Sequence, residues 1–425
     1  MNSVPAVLIS YTNGHRDDIR TYVSGNGVYL YTSHGRRIFD GVAGSMNANL
    51  GHGNAPIATA MHEQALTLTA VPAIAGDITD SALRLASELG EPLGLTELGW
   101  QYLFTSSGSE ATETALAAVW KYWSSTGHPR RRKILSLDHS YHGCTLGALA
   151  VTGRADEHTD VPVLVPNLRV ALPAWDPRAP TRVSDALAQL LTRDGADELA
   201  AIFLEPVMGL AGMIPAAGSD IRRLVQLCRT NGILVVLDEA LTGLGRTGRC
   251  TAAELYGVEP DILLVSKGLG CGFVPIAATC LAPTLASVLQ QAPVTLRHGH
   301  TASGNPLATA VASTILDELT AHHVAANAQR MGSLLKRQLS TELAGSPGVQ
   351  QLRATGLCIA LETPSPEYAE LVRRCAFDLG LRIRAIDANV ILSPALTITT
   401  DECTELSALT AAAFHAVEKT WRQEP

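Results

Sequence analysis

Residues 201–267 read AIFLEPVMGLAGMIPAAGSDIRRLVQLCRTNGILVVLDEALTGLGRTGRCTAAELYGVEPDILLVSK. Three short runs in this stretch, Ala201–Leu204, Ile233–Leu237 and Ile262–Val265, are apolar at every position. A strand with one wet face alternates in polarity. A strand covered on both faces does not, so these runs predict parallel strands buried under helices. Between the first two, Ile221–Thr230 spaces its apolar residues for one helical face, and Asn231-Gly232 stops that helix. The strand–helix–strand rhythm predicts an open α/β sheet.

Each of the three runs leads into a charged residue: Glu205, Asp238 and, after Ser266, Lys267. Open α/β sheets bind ligands at the carboxyl ends of their strands. One lysine and two carboxylates are therefore expected to share a crevice. The chain has only five lysines, Lys121, Lys133, Lys267, Lys336 and Lys419, and only Lys267 follows a wholly apolar strand. A desolvated lysine loses its proton more readily and becomes a nucleophilic amine suited to a Schiff base. A strand-end lysine that snorkels to water is the alternative.

Upstream, Thr105-Ser-Ser107-Gly108-Ser109-Glu110 stands between a predicted strand, Tyr102–Phe104, and a predicted helix, Ala115–Trp120. A serine- and glycine-rich turn at a helix N-terminus offers free N–H groups and the positive end of the dipole to a phosphate. It is also an ordinary serine-capped helix start. Asp238-Glu239 suits a carboxylate held under a pyridine nitrogen. A magnesium site of Walker-B type is the alternative, but no GxxxxGK[ST] loop accompanies it.

The bulk properties narrow the field. The chain has 425 residues, is 46% hydrophobic and carries a net charge of −8, so no basic stripe exists for a nucleic-acid partner. Arg130-Arg131-Arg132-Lys133 reads as a solvated helix end or loop before a strand. The eight cysteines contain no CxxC pair, which argues against a metal site and for a reducing, cytoplasmic setting. Residues 1–18 lack a basic region ahead of their apolar run and are not expected to be a signal peptide. No apolar run reaches membrane-spanning length. A hairpin is expected over Val28–Asp40, a long helix near Pro306–Leu343, strands over Leu357–Leu361 and Val390–Leu392, and a final helix from Asp401.

The ordered set TSSGSEATETAL, SYHG, EPV, DEALTGLGRTG, DILLVSKGLG and HTASGNPLA resembles the class III (omega-type) aminotransferases, which depend on pyridoxal 5′-phosphate (PLP). The pattern is most similar to diaminopelargonate synthases and amine:pyruvate transaminases. The resemblance runs from about Val28 to about Thr400. It implies PLP fold type I, a large mostly parallel sheet domain with a smaller α+β domain. The expected division is residues 1–60 and 310–425 for the small domain and 61–309 for the large one. It implies Lys267 as the Schiff-base lysine and proton shuttle, and Asp238 as the pyridinium partner. Ser107, Gly108 and Ser109 match the phosphate cup, and Tyr141 with His142 the aromatic segment at the cofactor ring. Ala240 packs on the opposite face, and Glu205 lies near the cofactor. Thr301 matches a threonine that reaches the phosphate of a neighbouring subunit, so a homodimer with shared sites is expected.

Departures from the family pattern bear on substrate. Members that act on glutamate, ornithine or 4-aminobutyrate pair an arginine with a glutamate. The matching positions here are Ile391 and Leu210. Losing both halves together leaves no lone buried charge. Arg384 matches the substrate-carboxylate arginine of the two similar groups, with Arg382 as its rival; strand alternation points both the same way. Leu241 replaces a common glutamine. Met46 and Asn47, after Ser45, stand where aromatics often wall the substrate pocket. The expected partners are a small-molecule amine donor and a keto or aldehyde acceptor, with a bulky biosynthetic acceptor favoured. An aminomutase, epimerase or decarboxylase on the same fold, or a non-catalytic PLP-binding homologue, is the alternative.

Overall fold

The computed structural model describes residues 10, 20–95, 97, 99–159, 161, 168–176, 178–179, 181–292 and 295–421. The stretch read for a leader lies outside these, Ser10 apart. The central sheet has seven strands in the order Gln101–Thr105, Ala277–Leu281, Ile262–Val265, Leu234–Asp238, Leu199–Leu204, Lys133–Leu137 and Arg169–Leu172. Only Ala277–Leu281 runs antiparallel to its neighbours. The three apolar runs lie side by side in the middle, pairing Val236 with Ile262 and with Phe203. Their residues are buried throughout, as expected of a sheet covered on both faces.

Helices Gly108–Ser125 and Gly218–Thr230 pack on this sheet. The second contains the predicted Ile221–Thr230. Two four-stranded sheets and a two-stranded one, Val207–Met208 with Ile214–Pro215, accompany the central sheet. One four-stranded sheet joins Tyr22–Asn26, Tyr29–Thr32 and Arg37–Asp40 with Leu381–Arg382, so segments from both ends of the sequence share it. It contains the predicted hairpin. The other orders Gln351–Thr355, Cys358–Glu362, Asn389–Leu392 and Arg384–Ile386. The last helix runs Thr400–Trp421.

Three expectations need correction. The long helix near Pro306–Leu343 is two, Pro306–Ala321 and Val324–Glu342, because His323 adopts a left-handed backbone (φ 47°) that no α-helix continues through. Arg131 is not simply solvated. It donates to the carbonyls of Leu199, Asn231 and Gly232 and lies over the Trp123 ring at 4.5 Å. Arg382 and Arg384 do not share one strand: the chain changes sheets at Ile383, so alternation does not relate them. Among the described residues, no helix is long and apolar enough to cross a membrane.

Candidate active site

The carboxyl ends of the three central strands open onto a cavity of about 350 Å³. Glu205, Asp238 and Lys267 all line it, as do Ser107, Gly108, Ser109, Tyr141, His142 and Ala240. Residues spread over 161 positions of sequence therefore meet because adjacent parallel strands end at one level.

Lys267 follows strand Ile262–Val265 and opens a single 3-10 turn, Lys267–Leu269. Its backbone is itself left-handed (φ 32°), a conformation that surrounding structure must impose on a non-glycine residue. Part of that constraint is visible beside it: a Cβ on Gly268 would stand 2.5 Å from Asn49 Nδ2. Asn49 is held in turn by Arg246 at 2.6 Å, and Arg246 also donates to the Pro394 carbonyl at 2.5 Å. Arg246 is fully buried, and burial lowers its pKa to about 10. The glycine after the lysine thus admits the segment that props the turn. Burial pushes the Lys267 ammonium below its ordinary pKa, against the opposing pull of Asp238 and Glu205. Such an amine is nucleophilic.

Asp238 ends strand Leu234–Asp238, and its Oδ2 meets Nδ1 of buried His142 at 2.9 Å. Oδ1 accepts from the Ala240 N–H at 3.2 Å. The His142 main chain is fixed from behind: its N–H donates to Thr152 Oγ1 at 3.0 Å and its carbonyl accepts from Thr112 Oγ1 at 2.8 Å. His142 Nε2 is buried without a partner among the described residues. Glu205 accepts from the Tyr141 N–H at 2.7 Å and the Gly209 N–H at 3.2 Å. Burial pushes its carboxyl up to about 7, with the neighbouring Asp238 adding to the shift and His142 opposing it. Trp175 donates to the Glu205 carbonyl at 3.1 Å and locks that strand end.

The third wall is the start of helix Gly108–Ser125. Ser107 Oγ caps the Glu110 N–H at 3.2 Å, and the Glu110 carboxylate returns to the Ser106 N–H at 2.7 Å. These bonds fix the turn and leave the N–H groups of Gly108 and Ser109 outside the helix's own bonding. Ser109 Oγ accepts from the Cys144 N–H at 3.1 Å, joining the turn to the segment that carries Tyr141.

A second cavity of about 930 Å³ shares Ser45, Met46, Tyr141, Leu210 and Lys267 with the first. Arg384 lines this outer part. Arg382 borders it too, but its guanidinium binds Asp40 at 2.8 Å and the Gly44 carbonyl at 2.7 Å. Asn47 lines the inner cavity, and its Oδ1 accepts from the Ser45 N–H at 2.9 Å. Ile391 lies in an apolar cluster with Met46, Leu241 and Cys358. Thr301 is exposed and lines neither cavity. Sequence reasoning missed three contributors: Asp40, Arg154 and the pairing of His142 with Asp238. The contacts that tie them to distant parts of the fold, Asp40 to Arg382, Arg154 to Asp387 and His142 to Asp238, span 96 to 342 positions, so local sequence does not signal them.

The donor set fits PLP. A nucleophilic amine, a carboxylate and a helix N-terminus, all lining one cavity, match its aldehyde, ring nitrogen and phosphate. The family model described as aminotransferase class-III matches residues 10–413. The aminotransferase YodT of Bacillus subtilis (strain 168) is 29% identical over 94% of this chain and 95% of its own length. The mitochondrial gamma-aminobutyrate transaminase 1 of Oryza sativa subsp. indica is 28% identical, over 92% and 80%. Among solved structures, an amine transaminase from an uncultivated Pseudomonas species in its PLP-bound form superposes with a TM-score of 0.93 at 30% identity, covering 98% of this chain and 100% of that one. An aminotransferase from Vibrio fluvialis in its PMP-bound form gives 0.91 at 27%, with 97% of each chain covered. The chain belongs to the class III aminotransferases, PLP-dependent transaminases of fold type I.

Proposed function

We propose that this transaminase delivers an amino group to a bulky ketone or aldehyde acceptor that carries a carboxylate. A biosynthetic intermediate of the kind 7-keto-8-aminopelargonate represents, or a natural-product or modified-peptide ketone, has these features. The observation that carries the reading is the continuity of the two cavities past Lys267, with Tyr141 the one Phe, Tyr or Trp in either lining among the described residues. Ser45 and Met46, rather than aromatic rings, border both. Arg384 in the outer part supplies a guanidinium for the acceptor's carboxylate, while Arg382 is engaged by Asp40.

In this reading Lys267 would hold the cofactor, and its Nζ would move the proton at the donor's Cα. Burial supports that role by keeping Nζ ready to lose its proton. Asp238, oriented by His142, keeps the cofactor's ring nitrogen protonated. Gly108 and Ser109 bind the phosphate through their N–H groups. PLP when bound supplies the carbonyl and the electron-accepting ring. Thr301, exposed on this chain, completes the site of a second copy in a homodimer.

The test is a panel of single amine donors added to the PLP-loaded protein, followed by paired acceptors with and without a terminal carboxylate. Falling absorbance at about 420 nm together with an accumulating keto product supports transamination. Loss of absorbance without a keto product favours the mutase-type alternative. Arg384→Ala should lower the kcat/KM ratio of carboxylated over uncharged acceptor by about 10- to 100-fold, the value of a charge-assisted pair. An unchanged ratio refutes the carboxylate assignment.

A further inference from the structure

Arg384 sits on Arg384–Ile386, a three-residue edge strand bonded to Asn389–Leu392 on one side only. Three residues paired on one side supply little backbone anchoring by themselves. The turn that follows is tied down at two points. The Ala388 carbonyl accepts from the Thr363 N–H at 2.7 Å and from Thr363 Oγ1 at 2.9 Å. Asp387, left-handed at φ 48°, presents both carboxylate oxygens to Arg154 at 3.1 and 3.4 Å.

Arg154 comes from the other side of the cleft. It follows Gly153, which lies so close to the central sheet that a Cβ there would stand 2.0 Å from the Leu137 carbonyl oxygen. The origin of the arginine is thus fixed relative to strand Lys133–Leu137. Its side chain is buried, while Asp387 is more than half exposed. The same guanidinium donates to the Leu210 carbonyl at 2.9 Å and to Asp156 at 2.6 Å. Leu210 lines the inner cavity beside Lys267. One buried group therefore spans from the inner cavity wall to the tip of the hairpin that bears Arg384. It is shared between the two walls of the substrate channel, with Arg384 three residues from the contact.

We propose that Arg154 and Asp387 form a clasp that positions Arg384, setting how far from Lys267 an acceptor's carboxylate is held. The clasp rests on the reading that Arg384 binds that carboxylate. Neither member touches the reacting atoms; both are positioning residues for acceptor selection. With the clasp closed, Arg384 stands at one distance from the amine-transfer point and selects one acceptor length. With it open, the hairpin tip that bears Arg384 loses its tie to the inner cavity wall and that selection is lost.

The experiment measures kcat and KM of the PLP-loaded protein for two acceptors of equal length, one ending in a carboxylate and one uncharged. The variants are Asp387→Asn, Asp387→Glu, Arg384→Ala and Arg384→Ala/Asp387→Asn, each checked by circular dichroism. Asp387→Asn should lower the selectivity ratio about tenfold, through KM of the carboxylated acceptor, because a half-exposed ion pair is lost while the fold stays intact. Asp387→Glu should recover part of the ratio. The double variant should be no worse than Arg384→Ala alone, since the effect passes through Arg384. Equal losses on both acceptors, or full additivity in the double variant, would overturn the clasp. If Arg384→Ala lowers the ratio and Asp387→Asn does not, the clasp fails and the carboxylate reading stands. If Arg384→Ala leaves the ratio unchanged, that reading fails and the clasp with it.

Discussion

Asp40→Asn probes the buried carboxylate that holds Arg382 and the Gly44 N–H. Asp40 is buried at the end of strand Arg37–Asp40. Its Oδ1 accepts from Arg382 at 2.8 Å, and its Oδ2 accepts from the Gly44 N–H at 2.6 Å and meets His52 Nε2 at 3.1 Å. An amide has one oxygen and one NH2. Whichever way it is turned, its NH2 faces a donor, either Arg382 or Gly44. The loss is one charge-assisted bond of about 1.5–3 kcal/mol plus a donor left unsatisfied at about 1–3 kcal/mol. Partial exposure of Arg382 lets water recover some of this, which leaves a net cost of about 3 kcal/mol. Because Gly44 leads into Ser45-Met46-Asn47, the inner cavity should loosen and KM for a bulky acceptor should change with stability. Burial alone would raise the Asp40 carboxyl, but His52, Arg382 and the Gly44 N–H outweigh it and hold it below 3.8. A carboxyl depressed on folding stabilises above its unfolded value, and that contribution fades as pH falls through the folded value. Denaturant unfolding of the PLP-saturated proteins should therefore show the full gap at pH 7 and a narrowing gap below about pH 3.8. A gap under about 1 kcal/mol at pH 7 would refute the reasoning. So would a gap that persists unchanged at pH 3.

Lys267→Ala should abolish turnover, and borohydride reduction should fix the cofactor covalently to the wild-type lysine but not to the variant. Labelling in both would sink the assignment. Glu205→Gln tests the raised carboxyl. A folded pKa of about 7 against an ordinary 4.5 means that stability is lost as pH rises between those values. The variant's stability relative to wild type should therefore climb from pH 4.5 to about pH 7 and level off above it, as thermal melts across that range would show. A flat difference would mean the carboxyl is not shifted. Ile391→Arg would put a guanidinium into the apolar cluster of Met46, Leu241 and Cys358. A loss of about 3–5 kcal/mol in unfolding free energy is expected. Wild-type stability would show that this cluster opens to water.

Much of this protein was legible without coordinates. The runs at 201, 233 and 262 read as strands covered on both faces, because short segments apolar at every position suit a parallel sheet buried under helices. That parallel strands carry their ligands at one end brought Glu205, Asp238 and Lys267 together on paper. The departures at Leu210, Leu241 and Ile391 were equally plain, since a missing charge is visible in the letters.

What stayed hidden depends on pairs far apart in the chain. Periodicity ran Pro306–Leu343 as one helix, since a histidine's turn to φ 47° leaves no mark in the hydrophobic pattern. Alternation treated Arg382 and Arg384 as equivalent. Only the passage from one sheet to another at Ile383 separates them, giving one to Asp40 and leaving the other at the outer cavity. His142 reaches Asp238 across 96 positions, and Arg154 reaches Asp387 across 233. Local sequence sets backbone preference and burial through short-range sterics and hydrophobicity. Which polar groups meet inside is set by where the packed elements bring them, and that is a property of the whole fold.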